Sequence, residues 1–164
     1  MKYCSVNHLQ DFEFHDAELT PISFENGQLI VAAKYLNVHK GIAQNFFDFD
    51  MEADLARITF EGIRILAHQT GGSTMQDEHG NVIKDPLITT AGAAAAARFS
   101  DELKGDLTVS YITASSWESQ PAYEIGAFGA SPYSYFTVWF SFDSVRIEWD
   151  SYRDKAWYER NPPR

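Results

Sequence analysis

The sequence is poor in cysteine: Cys4 is the one thiol among 164 residues. A single thiol cannot form a disulfide within the chain, which excludes the disulfide-rich secreted class and favours a reducing compartment. Residues 1–8 lack the apolar segment of a signal peptide, and no apolar run approaches the roughly 20 residues that span a bilayer. We therefore expect a cytoplasmic protein with no membrane segment.

Positive charge is also scarce. Lysine and arginine number 13 against 23 aspartates and glutamates, which gives a formal charge of −10, and the few cations do not cluster. A field of this sign repels a phosphate backbone, so nucleic-acid binding is not expected. The acidity has two interpretations: it keeps the protein soluble, or it attracts a basic protein partner.

Motifs that hold phosphates, nucleophiles or cofactors are missing. The sequence contains no phosphate-binding loop, no dinucleotide fingerprint and no nucleophile elbow. An EF-hand loop starting at Asp48 would need glycine at its sixth position and a carboxylate at its twelfth, where Ala53 and Thr59 stand instead. We predict neither a metal site nor a cofactor.

Aromatic residues are abundant. They make up 15% of the chain, and 45% of all residues are hydrophobic, which is typical of a folded protein. Aromatic side chains favour the half-buried surface of a β-sheet. The length is that of one domain of ordinary size, so we expect a single β-rich domain over residues 1–164.

Local patterns place the secondary structure. Asn26-Gly27 is a strong hairpin signal between two strands, and residues 93–103 are rich in alanine and predict the one helix. Residues 57–66 are interpreted as one strand with a bulge at Gly62, because the apolar phase changes there. Residues 67–90 form a long excursion with a small hairpin near Gly80. Further alternating segments after residue 106 predict additional strands.

These elements predict an α+β fold that is predominantly antiparallel β. We expect a sandwich or an open barrel of about seven or eight strands with one short helix. The strand over residues 133–142 is apolar on both faces, so we expect it to be central in its sheet or covered on both sides. Trp139, Phe140 and Trp149 are predicted to be core residues.

An acidic row is the first candidate binding site. Asp48, Asp50, Glu52 and Asp54 alternate with apolar residues, so the acids are expected on one face of a strand. Carboxylates that share a face repel one another, and a cationic partner would relieve that repulsion. The row therefore predicts a surface for a basic partner, and the alternative interpretation is a solvated face that protects a sheet edge.

The histidines supply the second candidate. His15 is followed by Asp16, a pairing that can serve an acid–base site, although neighbours on a strand point to opposite faces. His39 ends the second strand of the predicted hairpin and would approach His15 across it, and His8 and Glu13 would join them there. The alternative interpretation gives His15 and Asp16 a role in the fold.

Aromatic residues next to carboxylates open another alternative. Exposed aromatic rings stack on sugars, and paired carboxylates hydrolyse glycosides. A small-ligand or carbohydrate-binding β-sandwich, or a hydrolase with carboxylates in a groove, is thus an alternative to protein binding. The segments concerned are Trp117-Glu118, Tyr123-Glu124, Tyr133 and Tyr135.

Residues 12–65 resemble a group of small bacterial domains of uncharacterised function. The likeness rests on Phe14-His15-Asp16, on the following hairpin and on the strand segment Thr59-Phe60-Glu61-Gly62. Some similar small acidic domains are grouped with immunity proteins, which neutralise toxins by binding them. The resemblance implies no catalytic residues. We therefore expect a non-catalytic binding module, an immunity-like inhibitor of a basic protein.

Overall fold

The computed structural model describes residues 1–129 and 135–160. Within them the chain is mostly antiparallel β and forms three sheets and two short helices, as the α+β prediction requires. The strands are β1 (Tyr3–Val6), β2 (Phe12–Glu13), β3 (Glu18–Glu25), β4 (Gln28–Lys34), β5 (Asn37–Val38), β6 (Met51–Ala53), β7 (Ala56–Glu61), β8 (Arg64–Thr70), β9 (Thr74–Gln76), β10 (Val82–Lys84), β11 (Ile88–Ala91), β12 (Leu107–Trp117), β13 (Gln120–Phe128), β14 (Tyr135–Ser141), β15 (Ser144–Trp149) and β16 (Tyr152–Lys155), and the helices are α1 (Gly92–Glu102) and α2 (Trp157–Arg160).

The main sheet has ten strands in the order β1-β15-β7-β4-β3-β12-β13-β14-β8-β11. The first five strands in this order form one half of the sheet and the last five form the other. The two halves face each other, since the rings of Phe60 on β7 and Phe140 on β14 meet edge to face with centroids 5.8 Å apart. The result is a sandwich-like arrangement rather than a closed barrel. More strands form than the predicted seven or eight, because several are only two to four residues long and leave little pattern in the sequence.

The predicted hairpin is confirmed. β3 pairs with β4 around Asn26 and Gly27, whose φ angles of 53° and 72° are the left-handed values that a tight two-residue turn requires. The second strand is shorter than expected, because Tyr35 has a φ of 58° and ends β4. Residues 37–38 then pair in a different sheet.

Gly62 marks a corner and not a bulge within one strand. β7 pairs with β4 and β15, whereas β8 pairs with β14 and β11, so the chain passes from one half of the main sheet to the other at this glycine. Its φ of 62° and the Asp143 side chain beside it leave no room for a Cβ. Ile58 and Ile63 nevertheless both enter the core, as the phase change predicted.

A second sheet, ordered β16-β6-β5-β2, packs against the N-terminal half of the main sheet. Trp149 of β15 joins the two sheets. It is fully buried, stacks on Tyr3 and meets Phe12 of β2 edge to face. Tyr152 of β16 lies against the same indole with ring centroids 6.1 Å apart.

The predicted helix over residues 93–103 is confirmed as α1. Phe99, on its buried side, contacts Phe24 and Phe136 and thereby fills the open side of the sandwich. Phe140 and Trp149 are core residues, as expected. Trp139 is not, because it is half-buried on the outer face of β14. β14 is a central strand, between β13 and β8, which is one of the two placements that its apolar faces predict.

Candidate functional site

The acidic row does not form a solvated strand face. Only residues 51–53 are in a strand, and Asp48 and Asp54 lie in exposed bends on either side of it. Asp50 and Glu52 are buried instead. Alternation in the sequence was therefore misleading here, because the acidic side of this short strand is covered by the C-terminal residues.

Asp50 is the acceptor in a cluster of three donors. His39 Nδ1 lies 2.9 Å from Oδ2, the Tyr158 hydroxyl lies 2.7 Å from the same oxygen, and the backbone N–H of Lys40 lies 2.7 Å from Oδ1. Burial by itself would raise the pKa of Asp50, but these hydrogen bonds more than offset that cost and lower it. Burial and the bond to Asp50 raise the pKa of Tyr158, which keeps its hydroxyl a donor.

Glu52 is held by two arginines. Its side chain is 5% exposed and bonds the guanidinium of Arg160, and Arg153 Nη1 lies 3.6 Å from its other oxygen. Arg160 also reaches Asp154 at 3.6 Å. We call residues 50–53 together with residues 152–160 the clamp, because β16 and α2 close over the two buried carboxylates.

The clamp borders a groove of about 370 Å³ between Tyr35 and Trp157. The guanidinium carbon of Arg153 lies 5.7 Å from the Tyr35 ring centroid, in a cation–π contact. The same guanidinium pairs with Glu52. Asp16 stands at the rim. Because the arginines neutralise Glu52 from inside the chain, the groove offers a ligand no buried charge that lacks a partner.

His15 and His39 do not meet. In the β2–β5 pairing, Phe12 faces Val38 and Glu13 faces Asn37, so His39 lies beside Asp11 at one end of the ladder and His15 lies beyond the other end. His15 instead lies near Trp157, with ring centroids 6.0 Å apart and the ring planes tilted by 45°. Its Nδ1 lies 3.0 Å from the Ser110 carbonyl oxygen, and its Nε2 lies 3.6 Å from Asp16.

All five predicted site residues therefore have described positions, but they do not form one binding surface. Asp50 and His39 bond each other, Glu52 sits deeper in the clamp, His15 lies at the groove rim, and Asp48 is exposed. That these residues bind a partner stays a prediction. The internal bonds of Asp50 and Glu52 leave neither carboxylate open to a ligand.

A buried histidine–carboxylate pair lies elsewhere, between β8 and the end of α1. His68 Nε2 is 3.5 Å from Glu102 Oε1, and the imidazole stacks on Phe136. Burial, reinforced by Arg98, lowers the pKa of His68, while burial and Asp101 raise that of Glu102. Both shifts favour uncharged groups, which suits packing in the core.

A projecting hairpin is the most exposed apolar element of the described chain. β9 and β10 pair with each other, and within the described residues neither pairs with a third strand. We call residues 73–88 the arm. It extends the β8–β11 ribbon beyond Gly71 and Gly72, which have φ angles of 81° and 78°. Its large apolar side chains, each between 48% and 60% exposed, are Met75, Val82, Ile83, Leu87 and Ile88.

A hairpin near Gly80 was predicted, but its apolar content was not recognised as a surface. The Asp77 side chain accepts hydrogen bonds from the backbone N–H groups of His79 and Asn81 and so closes the turn. The signal was present in the sequence: apolar residues on both sides of a polar turn, in a segment without core periodicity. The apolar residues of such a segment do not form a face that packs against the rest of the domain, so they stay exposed.

The outer face of the C-terminal half of the main sheet carries a second group of aromatic residues. Trp117 of β12 and Trp139 of β14 contact each other with centroids 5.0 Å apart. Glu124 of β13 lies opposite Trp139 and accepts hydrogen bonds from Tyr111 at 2.6 Å and Ser115 at 3.0 Å. Burial and the bond to Glu124 raise the pKa of Tyr111. Tyr133, part of the predicted carbohydrate alternative, lies outside the described residues.

Metal-binding clusters and membrane-spanning helices are both absent from residues 1–129 and 135–160. No group of three or more histidine, cysteine, aspartate or glutamate side chains is arranged to hold a metal ion there. None of the helices in this part of the chain has the length and apolar character needed to cross a membrane.

Comparisons with known proteins found no matching family model, no similar curated protein and no similar solved structure.

Proposed function

We propose that this protein is a non-catalytic protein-binding module that docks on a basic partner through the arm, as an immunity-like inhibitor would. The observation that carries the proposal is the exposure of five large apolar side chains along the arm, three of them on the strands of its hairpin and Ile88 on β11 at its base. Exposed apolar patches of this kind are characteristic of protein interfaces. They are costly in a monomer because they leave apolar surface in water.

The geometry of the arm supports this role. A two-stranded hairpin that packs on nothing else is at best marginally stable in water, and a partner that covers its apolar side chains would stabilise it. A hairpin is also narrow enough to enter a cleft on another protein. The stable sandwich would then act as the scaffold that presents the arm.

Charge favours a basic partner over a second copy of the chain. The arm carries three carboxylates, Asp77, Glu78 and Asp85, against one lysine, Lys84, and the whole chain has a net charge of −10. Two copies would bring like charges together, whereas a basic protein would gain from complementary fields and faster association. Apolar side chains on an acidic arm therefore suit a partner whose cleft is apolar and whose rim is basic.

The experiment compares two triple variants with the native protein. Met75→Ser, Ile83→Ser and Leu87→Ser remove apolar surface from the arm, while Ile22→Ser, Phe46→Ser and Leu55→Ser remove exposed apolar side chains elsewhere. The native protein and both variants would each be used to capture proteins from the source cells. The captured proteins would be purified, and their affinities for all three would be measured by calorimetry at low and moderate salt. We expect a basic protein that binds the native and control proteins alike.

For that purified partner, the arm variant should bind about 100-fold more weakly, and salt should weaken the native complex. Equal affinity for the arm variant and the control would contradict the proposal. Sedimentation of the isolated protein tests the alternative occupant, which is a second copy of this chain. A dimer that depends on the arm would mean that the arm binds this second copy and not a basic partner.

A further inference from the structure

The outer sheet face combines an aromatic pair with an acidic group in a pattern that the arm does not explain. Along β12, β13 and β14, alternate residues point away from the core, and they include Trp117, Glu124 and Trp139. The two indole rings meet at an interplanar angle of 42° and so form a shallow, angled surface. Both are half-buried, which leaves part of each ring open to solvent.

Glu124 is fixed in position beside this surface. The Tyr111 hydroxyl donates to one carboxylate oxygen and the Ser115 hydroxyl donates to the other, which orients the group without neutralising it. Both donors are on β12, the strand next to Glu124, so the carboxylate leans over that strand. The Tyr111 ring and the Tyr135 hydroxyl lie over Gly126 and leave no room for a Cβ there, which extends the aromatic surface along the sheet.

The charge of Glu124 is the second observation. Within the described residues, ion pairs form at many acidic side chains, but Glu124 has no lysine, arginine or histidine within ion-pair distance. Its two hydrogen bonds come from neutral hydroxyls, so this half-buried carboxylate has no cationic partner in the described chain and would gain from one. Aromatic faces attract cations as well, so both features favour the same kind of ligand.

We propose that this face binds an amino sugar, with the C–H face of a pyranose ring stacked on Trp117 and Trp139 and its protonated amine against Glu124. An aromatic ring suits the apolar side of a pyranose, and the carboxylate suits the ammonium group. Ser115 and Tyr111 hold Glu124 in the orientation that the amine meets. This binding site is separate from the arm and does not depend on the protein partner proposed above.

The test measures binding of three oligosaccharides to the purified full-length chain by calorimetry and tryptophan fluorescence. The probes are a glucosamine hexamer, whose amines are charged, an N-acetylglucosamine hexamer, whose amides are neutral, and a glucose hexamer with the same β-1,4 linkage. We expect the glucosamine hexamer to bind at least about tenfold more tightly than either neutral probe, because only it pairs with Glu124.

Two substitutions separate the charge from the stacking surface. Glu124→Gln should remove the preference for the charged hexamer, and Trp139→Ala should weaken binding of that hexamer by about tenfold or more. The matched controls are Glu148→Gln, a half-buried carboxylate on β15, and Trp157→Ala, an exposed tryptophan in the clamp; both should bind as the native protein does. If Trp139→Ala fails to fold, Trp117→Ala tests the same surface.

Several outcomes would overturn the proposal. Equal binding of the charged and neutral hexamers would remove the role of Glu124, and no binding of any probe would remove the site altogether. A preference for the charged hexamer that persists in Glu124→Gln would show a non-specific attraction between a polycation and an acidic protein.

Discussion

The clamp and the arm both depart from the usual rule that charged side chains are exposed and apolar side chains are buried. The clamp buries two carboxylates, and each of them is bonded to groups of the same chain. The arm exposes five large apolar side chains, and nothing else in the described chain covers them. Buried charge that is fully paired serves the fold, whereas apolar surface left in water is where a partner can add stability. We therefore expect a partner to bind at the open region and assign a structural role to the closed one.

The largest effect that would sharpen this contrast is expected at Trp149, which joins the clamp to the main sheet. Trp149→Ala should lower the free energy of unfolding by about 3–5 kcal/mol, because the indole is fully buried between the two sheets. Trp157→Ala, on the exposed side of the clamp, should cost less than about 1 kcal/mol. Urea titration of both variants measures the difference, and similar losses would mean that the clamp is not built on Trp149.

The next effect separates two aspartates of the acidic row. Asp50→Ala removes the acceptor of three hydrogen bonds and should cost about 2–4 kcal/mol. Asp48→Ala changes an exposed side chain and should stay within about 0.5 kcal/mol of the native protein. Denaturant midpoints decide between them. Equal losses of stability would mean that Asp50 and Asp48 both lie on a solvated face, as the alternation in the sequence predicts.

A smaller effect is expected from pH. The pKa of Asp50 is lower in the folded protein than its ordinary value of 3.8, so its contribution to stability is complete above that value and is lost as pH falls through the folded pKa. Native protein should therefore lose stability more steeply below about pH 4 than Asp50→Asn, which carries no charge at this position. Urea midpoints between pH 6 and pH 2.5 measure the two slopes, and parallel curves would contradict the assignment.

The smallest effect should come from the arm. Replacing Met75 and Ile83 by serine should change the free energy of unfolding by less than about 0.5 kcal/mol, because both side chains are already exposed. Backbone amides of the arm should also exchange with solvent faster than those of β7 and β4 in the main sheet. A large loss of stability would show that the arm packs on the domain and is not free to dock.

Parts of the fold follow from short-range patterns. Asn26 and Gly27 predict their turn because both tolerate the positive φ that it needs, and α1 forms where alanine is dense. Core positions such as Ile58, Ile63 and Phe140 follow from apolar periodicity. In each case the information lies within a few residues of the feature.

The predictions that were wrong depended on distant residues. Tyr158 and Arg160 reach Asp50 and Glu52 from 108 positions away, so no local pattern shows that these acids are covered. Gly62 produces a phase change whether the strand bulges or turns a corner, and only the partners of β7 and β8 distinguish the two. Trp139 is apolar in sequence but lies on the outer face of β14, half-buried beside Trp117 from β12.

From its residues alone, this chain is an acidic, aromatic-rich, mostly antiparallel β domain with one alanine-rich helix, because composition and short-range periodicity act on each segment separately. The pairing of the ten-stranded sheet, the burial of Asp50 and Glu52 and the exposure of the arm arise only when segments far apart in the chain meet. Side-chain alternation specifies which residues share a face of a strand. What covers that face is a property of the whole tertiary structure.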